Sequence, residues 1–203
     1  MDTTMLVTAF ATLFVVIDPI GLTPLFVALT QGEDSAHRRS VALRASTIGF
    51  VVLLLFALFG EAVLGFIGIS MSAFRIAGGI LLLLTALDML FERRTKRRED
   101  KVVDLPDPSV FPLATPLIAG PGAIASIILL MGQADGVLGS ITVIGVMAVV
   151  VALVFVLFIA GGLLEKAIGQ TGINVVTRLL GMLLAALSIQ FIIDGLLTVS
   201  WPV

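Results

Sequence analysis

The chain has no cysteine and no tyrosine, and only one histidine and one tryptophan in 203 residues. Without cysteine there are no disulfides, thiol nucleophiles or zinc fingers, and a single imidazole excludes any metal site that needs two. Charge is scarce as well: Asp, Glu, Lys and Arg together make up 13% of the chain, about half the share found in soluble domains. Apolar residues fill the space, at 59% with a mean hydropathy of +1.18, and this composition places the chain in a membrane. A hydrocarbon core of about 30 Å takes roughly 20 helical residues per crossing. Six crossings therefore fit with short loops, and no sizeable extramembrane domain does.

Apolar runs of 18 or more residues predict six helices, at about 5–30, 41–60, 72–91, 109–132, 139–164 and 174–199. The first run has no basic residue ahead of it and meets Asp18-Pro19 rather than a small-residue cleavage site, so it reads as a retained span. The basic residues alternate between loops. Arg38 and Arg39 lie between spans one and two, Arg93, Arg94, Lys96, Arg97, Arg98 and Lys101 between three and four, and Lys166 between five and six. Basic loops stay on the cytoplasmic side, which puts both chain ends outside the cytoplasm. Residues 92–108 form the longest polar stretch, a topology anchor and linker between two three-span halves, 1–91 and 109–203. A basic run there can also recruit anionic lipid.

The halves share landmarks. Asp18-Pro19-Ile20-Gly21-Leu22-Thr23-Pro24 sets a polar residue before Pro and a second Pro five residues on, as does Thr115-Pro116-Leu117-Ile118-Ala119-Gly120-Pro121. Arg75…Gly78 opens span three and Arg178…Gly181 opens span six, each followed seven residues after the Gly by a hydroxyl, Thr85 or Ser188. Offsets of 97 and 103 preserve the order. A half with three spans exits opposite to its entry, so the second copy is expected to be inverted. The predicted fold is an all-α membrane protein of six transmembrane helices in two inverted three-helix repeats, with helices one and four discontinuous. Inverted repeats with interrupted helices at equivalent positions are the pattern of secondary transporters.

Proline removes an N–H and pushes the preceding residue out of the α region, so helicity is expected to fail at Asp18 and again at Thr23. Asp-Pro, Thr-Pro and Gly-Pro also describe helix restarts, with Asp18, Thr23, Thr115 or Gly120 as N-cap and the proline at the first helical position. Each restart points free N–H groups into the break. Asp18 lies about 20 Å into span one at 1.5 Å per residue, near mid-membrane, where a carboxylate is costly and normally faces a polar cavity or a partner. The alternative is a pair of proline-kinked helices in which Gly21, Gly120 and Gly122 only permit close packing. The expected substrate-binding set is Asp18, Pro19, Gly21, Thr23, Pro24, Thr115, Pro116, Gly120, Pro121 and Gly122. Arg75, Asp88, Arg178 and Asp194 lie near span ends, where they serve as gate contacts or ion pairs or simply reach headgroup water.

The six-span layout, the Asp18-Pro19-Ile20-Gly21…Pro24 signature, the basic central loop, Thr115-Pro116…Gly120-Pro121-Gly122 and the Arg178…Gly181 start of the last span resemble the MarC family of bacterial inner-membrane proteins. The resemblance covers nearly the whole chain. It implies a small-solute transporter of the bacterial inner (plasma) membrane, since the family includes members implicated in transport of neutral amino acids such as glycine and alanine. The family signature falls on Asp18, Pro19, Gly21 and Pro24 in span one and on Thr115, Pro116, Gly120, Pro121 and Gly122 in span four.

Three other classes compete with a carrier. An intramembrane enzyme needs a nucleophile and base or a metal cluster, yet His37 sits in a loop and no HExxH occurs, so no enzymatic activity is expected. A channel can build a filter from polar breaks, and a structural or regulatory membrane protein needs no site. The expected partners are a small-molecule substrate and the lipid bilayer, with no nucleic acid, metal or cofactor; a homo-oligomer stays open.

Overall fold

The computed structural model describes residues 3–91 and 107–199. Its helices begin and end where local chemistry dictates. Helix α1 (Thr3–Ile17) stops at Asp18, whose backbone turns left-handed (φ 55°, ψ 63°), and α2 (Pro19–Leu29) restarts at once with proline in its first turn. Helix α3 (Ser35–Ile67) is capped by Asp34, whose carboxylate accepts from the His37 N–H at 2.6 Å, and ends at Gly68 with φ 82°. Helix α4 (Met71–Leu90) is capped by the Ser70 hydroxyl, which accepts from the Ala73 N–H at 3.2 Å. In the second half come α5 (Ser109–Ile118), α6 (Pro121–Gly132), α7 (Gly136–Ile159) and α8 (Gly161–Leu197).

Five segments are long and apolar enough to cross a bilayer: Met5–Leu29, Ser35–Ile67, Met71–Leu90, Gly136–Ile159 and Lys166–Leu197. Helices α5 and α6 are together long and apolar enough for a sixth crossing but are bent by 51° at their junction, the geometry of a broken span or of a re-entrant loop. Span two reaches well past its predicted 41–60, because polar residues at Ser35–Ser40 continue the helix beyond the apolar run. Helix α8 likewise starts before the predicted 174 and contains a break at Gly169 (φ 63°, ψ 169°). The surface is inverted relative to a soluble protein: Phe66, Val137 and Leu163 are 94%, 78% and 73% exposed, while Asp18, Thr12 and Ser126 are fully buried. Large apolar side chains facing outward along whole helices require a hydrocarbon solvent. The protein is an all-α membrane protein.

Small residues set the packing. In α3 the buried stripe Val41, Ala45, Gly49, Leu53, Ala57, Gly60 and Leu64 follows three- and four-residue steps. Gly49 receives Ile118, and Gly60 receives Ile128 of α6. Helices α4 and α8 lie antiparallel, Gly79 facing Ser188 and Ile192, Gly181 facing Ala86 and Met89, and Gly195 facing Ser72 and Ile76.

Span one packs on span five as span two packs on span four, and span one on span six as span three on span four. Spans one and four, two and five, and three and six pack on each other. Taken span by span, exchanging the halves turns this set of contacts into itself, apart from the minor α6–α7 and α7–α8 contacts; helix by helix the match is looser, since α1 packs on α6 and α8 while, among the described residues, α5 makes no comparable contact with α2 or α4. Four backbone landmarks recur with it. The helix start Asp18-Pro19 recurs 102 residues on as Gly120-Pro121. Gly60, which receives Ile128 of α6, recurs after 101 as Gly161, which receives Thr23 and Val27 of α2. The left-handed Gly68 and Gly169 are 101 apart, and the crossing glycines Gly79 and Gly181 are 102 apart.

At these offsets the helix start that matches Asp18-Pro19 is Gly120-Pro121, whereas the two-proline spacing of the sequence sets it against Thr115-Pro116. Thr115 is extended (φ −127°, ψ 128°) before Pro116, so the backbone is interrupted there as expected, within α5, a wide-turned segment in which the Leu113 and Ala119 N–H groups reach back five residues to Pro108 and Ala114. The spacing of two prolines matches between the strings, but only the second proline of the later one opens a helix.

Candidate substrate site at the two helix breaks

The break in span one is held from both sides of Asp18. Its N–H donates to Phe14 O at 2.9 Å, its carbonyl accepts from the Leu22 N–H at 3.0 Å, and its Oδ1 accepts from the Gly21 N–H at 3.0 Å. The carboxylate thus caps α2, as the Asp-Pro dipeptide predicts. Asp18 has no exposed surface. No Cβ fits at Gly21: it would overlap the Asp18 carboxylate and stand 2.9 Å from Thr177 Oγ1 of α8. The Thr177 hydroxyl is buried and makes no hydrogen bond among the described residues.

The break in span four is built differently. Gly120 is extended (φ −80°, ψ 166°) and offers no side chain, Pro121 has no N–H, and the Ile124 N–H returns to Gly120 O at 2.9 Å. The Gly122 and Ala123 N–H groups at the start of α6 therefore have no acceptor among the described residues, although both residues are buried. A Cβ on Gly122 would lie 3.3 Å from Val16 Cγ1 and from Leu82 Cδ2 and 3.5 Å from Thr85 Oγ1. Val16 is two residues from Asp18, so the two breaks are neighbours. Each is faced by a threonine from the third span of the other half, Thr177 for the first and Thr85 for the second.

Asp18, Pro19, Gly21, Gly120, Pro121 and Gly122 therefore come together. Thr23 and Pro24 do not make the expected second break: Pro24 lies inside α2, and the buried Thr23 hydroxyl donates to Pro19 O at 2.9 Å. Thr115 is not a cap, since its hydroxyl donates backward to Val110 O at 3.2 Å; Pro116 touches the site only through its carbonyl, which lies against Gly120.

Arg75 lies on the α6-facing side of α4, between Met71 at Gly132 and Gly78 at Leu129, with its Nε buried and not hydrogen-bonded among the described residues. Arg178 follows Thr177 and is exposed; by the offset of the crossing glycines it is Thr177, not Arg178, that corresponds to Arg75. Asp88 lies in the last turn of α4, and Asp194 accepts from Gln190 Nε2 at 2.7 Å near the end of α8. The basic residues from Arg93 to Lys101 and the chain ends Met1 and Val203 lie outside the described residues. At the edge of α3, Arg44 pairs with Asp107 at 2.8 Å. The Asp107 carboxyl is held below its ordinary value by the Ser109 hydroxyl and N–H, then by Arg44 and His37.

Thr177 was not among the sequence candidates. A lone hydroxyl in an apolar helix carries no local signal, and only the packing of α8 on α2 brings it to Gly21.

Broken spans, buried polar groups at the breaks and a lipid-facing apolar surface define an integral membrane protein with an intramembrane polar centre. The chain belongs to the MarC family: the family described as MarC family integral membrane protein matches residues 3–200. A UPF0056 membrane protein of Archaeoglobus fulgidus is 38% identical over 93% of this chain and 90% of its own. One of Methanocaldococcus jannaschii is 36% identical over 97% and 98%, and the UPF0056 membrane protein YvbG of Bacillus subtilis is 34% identical over 94% and 93%. These relatives are named as membrane proteins and none by a reaction. No solved structure matches the chain.

Proposed function

We propose that the protein is a secondary carrier of small zwitterions, neutral amino acids such as glycine or alanine, working by alternating access between two inverted three-helix repeats, 1–91 and 109–203. One observation carries the reading: of two adjacent helix starts, α2 is capped by a buried carboxylate and α6 has no side-chain cap. The uncapped start, with the Gly122 and Ala123 N–H groups and the positive end of the helix dipole, suits a substrate carboxylate. Asp18 and the Thr177 hydroxyl suit its ammonium. Full burial of Asp18 means that substrate enters only when packed helices separate. The antiparallel α4 and α8, equivalent by their crossing glycines, support inversion of the halves. The alternation of basic loops supports chain ends outside the cytoplasm, which reporter fusions at Met1 and Val203 test.

The test is counterflow of glycine and alanine in reconstituted vesicles at several pH values, wild type against Asp18→Asn. The variant keeps an acceptor for the Gly21 N–H but loses the charge, so binding and exchange fall together. If exchange survives and only pH-driven accumulation is lost, Asp18 carries protons instead of holding the ammonium. Unchanged binding, exchange and pH dependence in a folded variant refute both roles and leave Asp18 as a helix cap. Absence of counterflow with gradient-following flux in the wild type identifies a channel.

A further inference from the structure

Away from the breaks, a cavity of about 690 Å³ opens at the head of α3, with Arg38, Arg39, Ser35 and Ser40 above and Leu43 and Ile159 below. Its position in the membrane follows from helix length. The 33 residues of α3 extend about 50 Å at 1.5 Å each, well beyond a hydrocarbon core of about 30 Å. The apolar run begins at Val41, so the first turns, with both arginines, stand at headgroup level. Leu43 and Ile159 are 56% and 48% exposed, an apolar wall running down from the arginines into the acyl region.

The polar end is cationic and held in place. Phe158, at the back of the cavity, stacks on Phe26 with ring centroids 4.4 Å apart and planes 5° from parallel. The Arg38 guanidinium sits 5.9 Å from the Phe26 centroid, so this cation rests on a rigid aromatic pair. Arg44 pairs with Asp107, and among the described residues neither Arg38 nor Arg39 has a carboxylate partner. The nearest acidic group by sequence, Asp34, is occupied in capping α3 through the His37 N–H, and Glu33 is exposed beyond it. Two guanidiniums, two hydroxyls and the start of a long helix therefore face one space with no anion among the described residues.

We propose that this cavity binds the phosphodiester of an anionic phospholipid, with the phosphate between Arg38 and Arg39 and one acyl chain along Leu43 and Ile159. The pairing of a cationic end at headgroup depth with an apolar wall beneath it fits a lipid and leaves half the site unused by a free phosphate ion. A choline headgroup would add a third cation to the pocket, whereas the glycerol of phosphatidylglycerol finds the Ser35 and Ser40 hydroxyls. The site is independent of the helix breaks and of what the protein transports.

The experiment measures lipid affinity of the purified full chain in micelles, by thermal shift and by native mass spectrometry, with phosphatidylglycerol, phosphatidylcholine and inorganic phosphate. Wild type binds phosphatidylglycerol roughly tenfold or more tighter than phosphatidylcholine, the scale of one charge-assisted contact. Arg38→Gln/Arg39→Gln removes that preference, and Lys166→Gln, a charge change outside the cavity, retains it. Equal affinity for the two lipids, an unchanged preference in the double variant, or an equal response to inorganic phosphate overturns the proposal. If the double variant does not fold, Ile159→Trp, which fills the acyl wall and leaves both charges, serves instead: it weakens phosphatidylglycerol binding if the proposal holds, and unchanged binding refutes it.

Discussion

Replacing Gly21 by alanine places a methyl group where the Asp18 carboxylate already lies. The added carbon would overlap Oδ2 and stand 2.7 Å from Asp18 Cγ and 2.9 Å from Thr177 Oγ1, so the carboxylate must swing away and give up the Gly21 N–H. Loss of an N-cap of this kind costs about 1 kcal/mol, and overpacking adds roughly 1–3 kcal/mol. The better helix propensity of alanine returns about 1 kcal/mol. The net expectation is a loss of about 1–3 kcal/mol. Asp18→Gly changes the balance, because glycine suits φ 55° and clears the space. In that background Gly21→Ala meets only Thr177 Oγ1 and costs about 1 kcal/mol or less. A double-mutant cycle on purified protein, read as midpoints of unfolding in SDS titrations, therefore shows a coupling of about 1–2 kcal/mol. Equal effects of Gly21→Ala in both backgrounds would show that the carboxylate does not fill that space.

Gly79→Ala drives a carbon to 2.8 Å from Ser188 O and 3.1 Å from Ile192 N, backbone atoms that cannot move without the helices parting, whereas Gly65→Ala meets nothing within 4 Å. The first lowers the unfolding midpoint by roughly 1–3 kcal/mol and the second is neutral or raises it by up to about 1 kcal/mol; the same assay checks the order. Thr177→Val keeps shape while removing a buried hydroxyl that has no hydrogen bond among the described residues, so stability holds or rises by about 1 kcal/mol while amino-acid counterflow falls; unchanged counterflow removes Thr177 from the site. Asp107, with its carboxyl held below the ordinary range, contributes stability that is complete above the usual carboxylate pKa of about 4 and is lost as pH falls through its lowered folded value. Asp107→Asn therefore destabilises at pH 7 by about 1 kcal/mol or less, the side chain being 40% exposed, and the gap to wild type closes in acid; a gap that persists at pH 2 contradicts this.

The six spans were legible because crossing a bilayer demands only length and apolarity, and a composition this biased leaves few alternatives. The first break was legible for a chemical reason: Asp followed by Pro at mid-depth is both a helix stop and a good helix start. The second was legible in both of its prolines: Thr115 and Gly120 are each extended before a proline, but only Pro121 is followed by a regular helix, whereas Thr115-Pro116 kinks a wide-turned segment. A longer comparison carries the signal, since Gln31-Gly32-Glu33 and Gln133-Ala134-Asp135 close the two half-helices at the same offset of 102. The continuation of α2 through Pro24 was hidden because a proline inside a helix forgoes one N–H and the neighbouring turns carry the helix past it. The cavity at α3 was hidden because Arg38 and Arg39 read as topology signals, and only the Phe26–Phe158 stack shows what one of them rests on.

The reciprocal seating of the half-helices, α2 against Gly161 and α6 against Gly60, bears on how the protein is made. Helix α2 is synthesised long before Gly161, an interval of roughly seven to twenty-five seconds at ordinary elongation rates. During that time Thr23 and Val27 face lipid or the insertion machinery instead of their glycine, and the carboxylate of Asp18 lies in an unfinished bundle. The first half therefore has no native state of its own to adopt while it waits. Its three helices enter the bilayer as separate apolar segments, and the first break closes only when α7 and α8 arrive. A chain truncated after the linker should be inserted and then degraded, and co-expressing the missing half as a separate polypeptide should rescue it.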